Sequence, residues 1–226
     1  MRKNMMIRAV SMAFGFMACI GTAQAGGTLW NGGYVGLEGG YGWGSARQTD
    51  SKWSFDSGSY STSGGLAGVE AGYNWKAGPV LLGLEGDLSW SGITGSTPGQ
   101  TNNKCAGTTS KCEADLVALG TTRARVGYPI GRFLPFLSGG LAVGDVHGKE
   151  GDNDSNGGSG SKIRLGWTAG GGIEHSFAEH WTAKVEYLYV DLGKQETFRD
   201  SFSNGTAMES IQMRDHIVRA AINYKF

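Results

Sequence analysis

Residues 214–226 read Arg-Asp-His-Ile-Val-Arg-Ala-Ala-Ile-Asn-Tyr-Lys-Phe. Taking every second residue gives His216, Val218, Ala220, Ile222, Tyr224 and Phe226. The residues between them are Ile217, Arg219, Ala221, Asn223 and Lys225. One set is mostly apolar and ends in aromatics. The other is mostly polar or small. Successive side chains of a strand point to opposite faces, so this period of two describes a strand lying between two different environments.

The same pattern recurs along the chain, in segments at roughly 32–44, 63–76, 79–92, 115–128, 133–147, 162–175, 181–191 and 215–226. In the third, Val80, Leu82, Leu84, Leu88 and Trp90 share a face opposite Glu85, Asp87 and Ser89. In the fourth, Leu116, Ala118, Thr122, Ala124, Val126 and Tyr128 oppose Thr121, Arg123 and Arg125. In the seventh, Ala183, Val185, Tyr187 and Tyr189 oppose Thr182, Lys184 and Glu186. Each segment reaches the ~9–11 residues that a tilted strand needs to cross a bilayer. The connections alternate in length. Those at 76–79, 129–132 and 176–180 are tight, whereas 45–62, 93–114, 148–161 and 192–214 are long and rich in Ser, Thr, Gly, Asn and Asp. An even strand number with short turns at one end and long loops at the other is the pattern of an outer-membrane barrel. The expected fold is all-β: an eight-stranded antiparallel up-and-down transmembrane β-barrel. Both termini would be periplasmic and four loops extracellular.

The charges within the strands sort by face. Glu38, Glu70, Glu85, Asp87, Glu174 and Glu186 fall on the non-apolar face, and so do Arg123, Arg125, Arg164, Lys184, Arg219 and Lys225. The interior of an eight-stranded barrel is only wide enough for side chains to fill. Losing one partner of a buried ion pair costs ~3–5 kcal/mol, so a narrow interior must balance its charges. The expectation is a plugged core of crossed carboxylate–cation pairs; a conduction path along the same residues is the other reading. Trp43, Tyr73, Trp75, Trp90, Tyr128, Trp181, Tyr187, Tyr189, Tyr224 and Phe226 lie on the apolar face, many near strand ends. Aromatic girdles of this kind anchor barrels at the two membrane interfaces.

The start of the chain has a positive segment (Arg2, Lys3, Arg8), an uncharged apolar run from Ala9 to Ile20, and Ala23-Gln24-Ala25 before Gly26. That order is a secretory signal peptide, 1–25, ahead of a barrel domain, 26–226. The apolar run is too short for a helical span of ~20 residues. Cys19 lies within it, but Phe16-Met17-Ala18 fits a lipobox poorly. The whole chain has 20 basic and 20 acidic residues; losing Arg2, Lys3 and Arg8 leaves a formal −3. The large basic footprint of a nucleic-acid partner is missing. The glycine-rich stretch 30–44, WNGGYVGLEGGYGWG, has no Walker lysine and opens no strand–helix junction, so it is not a nucleotide loop. It reads as the first strand, with Val35, Leu37, Tyr41 and Trp43 toward lipid and Tyr34, Gly36, Glu38, Gly40 and Gly42 inward.

Several of these pieces carry a family resemblance. They are Trp30-Asn31-Gly32-Gly33-Tyr34-Val35-Gly36, Gly40-Tyr41-Gly42-Trp43-Gly44, Ala71-Gly72-Tyr73-Asn74-Trp75, Gly83-Leu84-Glu85-Gly86-Asp87, Thr122-Arg123-Ala124-Arg125-Val126-Gly127-Tyr128 and Val185-Glu186-Tyr187-Leu188-Tyr189. In this order, closed by the terminal aromatic, they resemble the small outer-membrane β-barrel proteins of alphaproteobacteria. These porin-like proteins include 25- and 31-kDa-class surface antigens. The resemblance covers essentially all of 26–226. It implies an outer-membrane location and a structural or surface-antigen role, the alternative being a small-solute porin or a haemin binder. Tyr224 and Phe226 resemble the C-terminal signal read by the barrel-assembly machinery. The family has no catalytic motif to carry over, so neither an enzyme nor a cofactor is expected. The expected partners are outer-membrane lipid and lipopolysaccharide, the assembly machinery, and haemin or a host surface ligand.

A few residues outside this pattern could carry chemistry. Cys105 and Cys112 share a long loop of an exported chain and are expected to form a disulfide; a metal pair would lack a nearby His. Asp152-Asn153-Asp154-Ser155-Asn156-Gly157 matches the first half of a calcium loop, but Ile163 stands where the twelfth-position Glu is needed. A solvated loop is expected there and no metal site. His147, near the outer rim, is the candidate haem ligand. His175 and Ser176 are adjacent and therefore point to opposite faces, which argues against a hydrolytic pair.

Overall fold

The computed structural model describes residues 29–50, 55–98, 111–151, 158–202 and 205–226; the expected leader, 1–25, lies outside them. Eight strands follow one another: β1 (Gly32–Asp50), β2 (Phe55–Ala77), β3 (Val80–Pro98), β4 (Lys111–Gly127), β5 (Phe133–Gly151), β6 (Gly158–Ser176), β7 (Trp181–Phe202) and β8 (Gly205–Lys225). Each pairs antiparallel with its sequence neighbours, and β1 closes the barrel on β8 from Tyr34↔Lys225 to Asp50↔Glu209. Closure matters in lipid, where no water can satisfy the backbone groups of a free sheet edge.

The alternation of the sequence becomes the two sides of the wall. Leu37 is 70 % exposed and Val35, Tyr41 and Trp43 also face outward, while Tyr34 and Glu38 are buried. The outward aromatics Tyr73, Trp75, Tyr128, Trp181, Tyr224 and Phe226 lie toward the short-turn end. Two turns at this end rely on glycine. Gly78 (φ +64°) joins β2 to β3 directly beyond the Ala77↔Val80 pair, and Gly131 (φ +60°) lies between β4 and β5. A residue with Cβ adopts that left-handed geometry only with strain.

The strands outrun the apolar pattern. The expected long loops shrink to 51–54, 99–110, 152–157 and 203–204 as connections between strands. The β1–β2 ladder continues through Ser45↔Ser61 and Arg47↔Ser59, and β7–β8 continues to Phe202↔Gly205. Hydrophobic alternation stops where a strand leaves an apolar surrounding. The hydrogen-bond ladder does not need it and runs on through Ser and Thr.

Bulges correct one face assignment. Leu116, expected on the apolar face with Ala118, is buried inside the barrel. The β4–β5 register shifts between Leu116 and Ala118, and Val117 takes the outward place. One extra residue flips every side chain beyond it. Register shifts between Trp90 and Ile93 and between Asp191 and Lys194 leave Ile93 and Leu192 on the inward parity of Glu85 and Lys184.

The interior is therefore layered, where the sequence suggested a polar core throughout. Trp30, Leu81 and Leu134 close the short-turn end, with the Trp30 indole N–H donating to the Gly131 carbonyl at 3.2 Å. Charged residues fill the middle. Beyond them an apolar cluster including Leu66, Ile93, Leu116, Leu188, Leu192 and Ile217 fills the other end. Most of this cluster keeps the inward parity of the charged residues, Ile93 that of Glu85 and Leu188 and Leu192 that of Lys184; a bulge turns only Leu116 inward.

Some inward glycines mark close approach. A Cβ at Gly40 would stand 2.7 Å from Arg219 Cβ and 2.8 Å from Arg219 Cα, across the β1–β8 closure. Neither atom is the free end of a flexible side chain. Gly40→Val is expected to block closure; on unheated gels the fast-migrating folded species should fall to a minor fraction, where the native chain gives mostly that species.

Candidate functional site: the charge layer and the outer wall

The middle layer draws on seven strands. β1 gives Glu38, β2 Glu70, β3 Glu85 and Asp87, β4 Arg123 and Arg125, β6 Glu174, β7 Lys184 and Glu186, and β8 Arg219. Pairs of these two residues apart share the inner face because the strand period is two. The register sets Glu85 opposite Arg123, Glu174 opposite Lys184, and Glu186 opposite Arg219. It also sets Glu70 opposite Asp87, a like-charge pair that needs cations from elsewhere.

Those cations come across the lumen. Lys184 Nζ on β7 lies 2.7 Å from Glu70 Oε2 on β2 and 2.9 Å from Glu85 Oε1 on β3. Arg219 on β8 donates to Glu38 Oε1 at 2.8 Å and to Asp87 Oδ2 at 3.1 Å, and also bonds Glu186. Arg123 bonds Glu85 and reaches Asp87 at 3.2 Å and Glu186 at 3.3 Å. Arg125 spans Glu85 Oε2 at 3.1 Å and Glu174 Oε2 at 2.6 Å, with the Phe136 ring 4.8 Å below its guanidinium. Neutral donors complete the layer: Ser89 to Glu38 and Thr182 to Glu174, both at 2.6 Å, Tyr34 to Glu85, and Thr121 to Asp87. Charge-assisted bonds of this kind are the stronger class, and each carboxylate needs several because burial has stripped its water. These bonds fill the bore.

Two expected members stand apart from this layer. Lys225, at the short-turn end, donates to the Leu29 carbonyl and sits 5.7 Å from the Trp30 ring. Arg164 is buried on β6 opposite Gly144, alongside Leu116 and Leu192 of the apolar cluster. The sequence reading missed Asp215, which is fully buried and accepts from Thr62 at 3.0 Å. Its signal was present: Asp215 has the same parity as Ile217 and Arg219. Trp30 precedes the first strand, so no alternation could mark it.

The carboxylates of Glu38, Glu70 and Glu186 offer oxygens within 4.8 Å of one another, a possible cage by spacing alone. Each already meets Arg219 or Lys184, which supply the positive charge a metal would bring. His147 is partly exposed on β5, its Nε2 3.8 Å from Asp145 Oδ2. His175 stacks on Phe133 at 4.5 Å, whereas Ser176 is buried and donates to the Ala178 carbonyl at 3.1 Å, so the two do not meet. Cys105 and the acidic stretch 152–157 lie outside the described residues. Cys112 falls within β4, but its side chain is not among those described.

Comparison with known proteins agrees with this architecture. The family described as outer membrane protein beta-barrel domain matches residues 12–226. The 31 kDa outer-membrane immunogenic protein of Brucella melitensis is 39 % identical over 209 residues, covering 87 % of this chain and 84 % of the relative. The 25 kDa outer-membrane immunogenic protein of Brucella abortus is 31 % identical, covering 87 % and 79 %. Among solved structures, the outer membrane protein OprG of Pseudomonas aeruginosa superposes with a TM-score of 0.52 at 10 % identity, covering 87 % of this chain and 98 % of that one. The outer membrane protease OmpT of Escherichia coli gives 0.52 at 9 % identity, covering 91 % and all of that chain. At such identities the last two likenesses speak to the fold alone.

Proposed function

The chain belongs to the outer membrane protein β-barrel family, and on that premise we propose a structural, surface-presented barrel that neither conducts solutes nor catalyses a reaction. Its location is the cell outer membrane. The observation that carries the reading is the filled bore. An ion entering from either end meets buried apolar side chains, Trp30, Leu81 and Leu134 at one mouth and the Leu188–Ile217 cluster at the other. Between them lies a charge layer whose members are bonded to one another across the lumen. Moving an unpaired ion through an apolar seal costs far more than thermal energy. Strands that run on past the apolar band toward the 51–54, 99–110, 152–157 and 203–204 end support an orientation with that end outside the cell and the short turns and both termini periplasmic.

Purified, refolded protein in planar bilayers is expected to give no long-lived unitary current steps. Reproducible steps that scale with protein concentration would overturn the sealed reading.

A further inference from the structure

The outer wall is not uniform around the barrel. On β1, β8 and β7 the registers stack outward-facing residues into rows. Tyr41, Val218 and Tyr187 form one row, and Trp43, His216 and Tyr189 the next toward the outer rim. Above them come Ser45, Arg214 and Asp191, and above these Arg47, Gln212 and Lys194. The aromatic rows are consolidated around His216: it stacks on Trp43 at 6.1 Å, lies 5.3 Å from Tyr189, and shares a 2.5 Å hydrogen bond with the Tyr187 hydroxyl. In the rows above, Arg214 is exposed and held by Asp191 at 3.0 Å, and Arg47 and Lys194 are also exposed. Among the described side chains of these rows, three cations and one acid thus cap an aromatic platform on three adjacent strands. Among the described side chains, the far wall at the corresponding end presents Ser59, Ser61, Thr94 and Ser96 on β2 and β3, and Glu113, Asp115 and Asp145 on β4 and β5.

We propose that the β7–β8–β1 wall is a binding site for the phosphorylated glycolipid of the outer leaflet, with its phosphates on Arg47, Arg214 and Lys194 and its sugar–acyl boundary on Trp43, His216 and Tyr189. Charge complementarity selects this occupant. A headgroup bearing phosphate meets three cations directly above an aromatic belt, the level at which such belts meet headgroups. Arginine forks suit phosphate oxygens, and the Asp191–Arg214 bond orients one fork without removing its remaining donors. The site rests on the orientation given above, because only the rim opposite the short turns carries these rows.

Two measurements test it. Native mass spectrometry of the barrel in detergent compares lipid A carrying both phosphates with the same lipid A dephosphorylated. The phosphorylated form is expected to bind about tenfold more tightly or better, since each cation near an anionic headgroup contributes roughly fivefold. The triple variant R47Q/R214Q/K194Q should lose most of that preference. Equal binding of the two lipids by the native protein overturns the proposal whether or not the variant folds. A preference kept by a folded, heat-modifiable triple variant overturns it as well. An epitope inserted after Asn153 and probed on intact cells separates the premise from the site. Antibody binding before permeabilisation is expected; binding only afterwards overturns the orientation, and with it the placement of the lipid.

Discussion

Arg123→Met is expected to lower the unfolding free energy by about 3–5 kcal/mol, the usual cost of removing one member of a buried ion network. Arg123 bonds Glu85 and approaches Asp87 and Glu186, so its loss leaves three carboxylates to share Arg219, Lys184 and Arg125. The methionine can fill much of the space, so the loss comes mainly from charge. Adding Glu85→Gln should recover part of it, because the double variant removes one of the stranded carboxylates. Contacting residues of one network couple by ~0.5–3 kcal/mol in such cycles. Urea titration in vesicles, followed by the gel mobility of the folded form, measures both variants. An unchanged midpoint for Arg123→Met would mean that the layer contributes no net stability. A double variant no more stable than the single would place the effect in packing.

The layer also shows what could be read from the sequence. Glu38, Glu70, Glu85, Asp87, Arg123, Arg125, Glu174, Lys184, Glu186 and Arg219 all lie in stretches of unbroken alternation, where a period of two fixes the face without knowledge of the register. Which cation meets which acid was not legible. Lys184 reaches Glu70 across the bore, between strands far apart in sequence, and that depends on how the closed barrel staggers its strands. The outer seal was legible in part. Ile93 shares parity with Glu85 and Asp87, and Leu192 with Lys184 and Glu186, so alternation places both inward; Leu116 was misplaced because the bulge beside it reverses parity without leaving a strong mark in the composition. The same limit applied to strand length. Ser59, Ser61 and Ser63 pair in the β1–β2 ladder as regularly as Val69 does, but a polar strand in water looks like a loop to any reading based on hydrophobicity. The aromatic and cationic rows on β7–β8–β1 needed the register itself, since Lys194 joins Gln212 and Arg47 only after the shift in β7.

Leu37→Arg is expected to cost roughly 2–4 kcal/mol in a bilayer, the penalty for arginine on the lipid face near mid-membrane. Leu37 pairs with Val69 on one side and Ile222 on the other, and all three point out of the barrel. On the same outward faces, aromatics stand farther along the strands in both directions, with Trp43 toward one end and Tyr73 and Tyr224 toward the other. A water-soluble barrel with an exposed Leu37 would accept the same change within about 0.5 kcal/mol, because a surface substitution away from any special feature is nearly neutral. The sign and size therefore report the solvent of the wall. Refolding into vesicles of medium-length lipids, with urea titration as readout, gives the difference. Repeating it for Ser59→Arg supplies the contrast, since Ser59 is exposed on the same sheet beyond the apolar band and should shift by no more than about 1 kcal/mol near an interface. Equal, small shifts at both positions would mean that lipid does not reach Leu37. A large shift at Leu37 alone would place the membrane across the middle of the barrel, around the charge layer that its own strands keep out of contact with lipid.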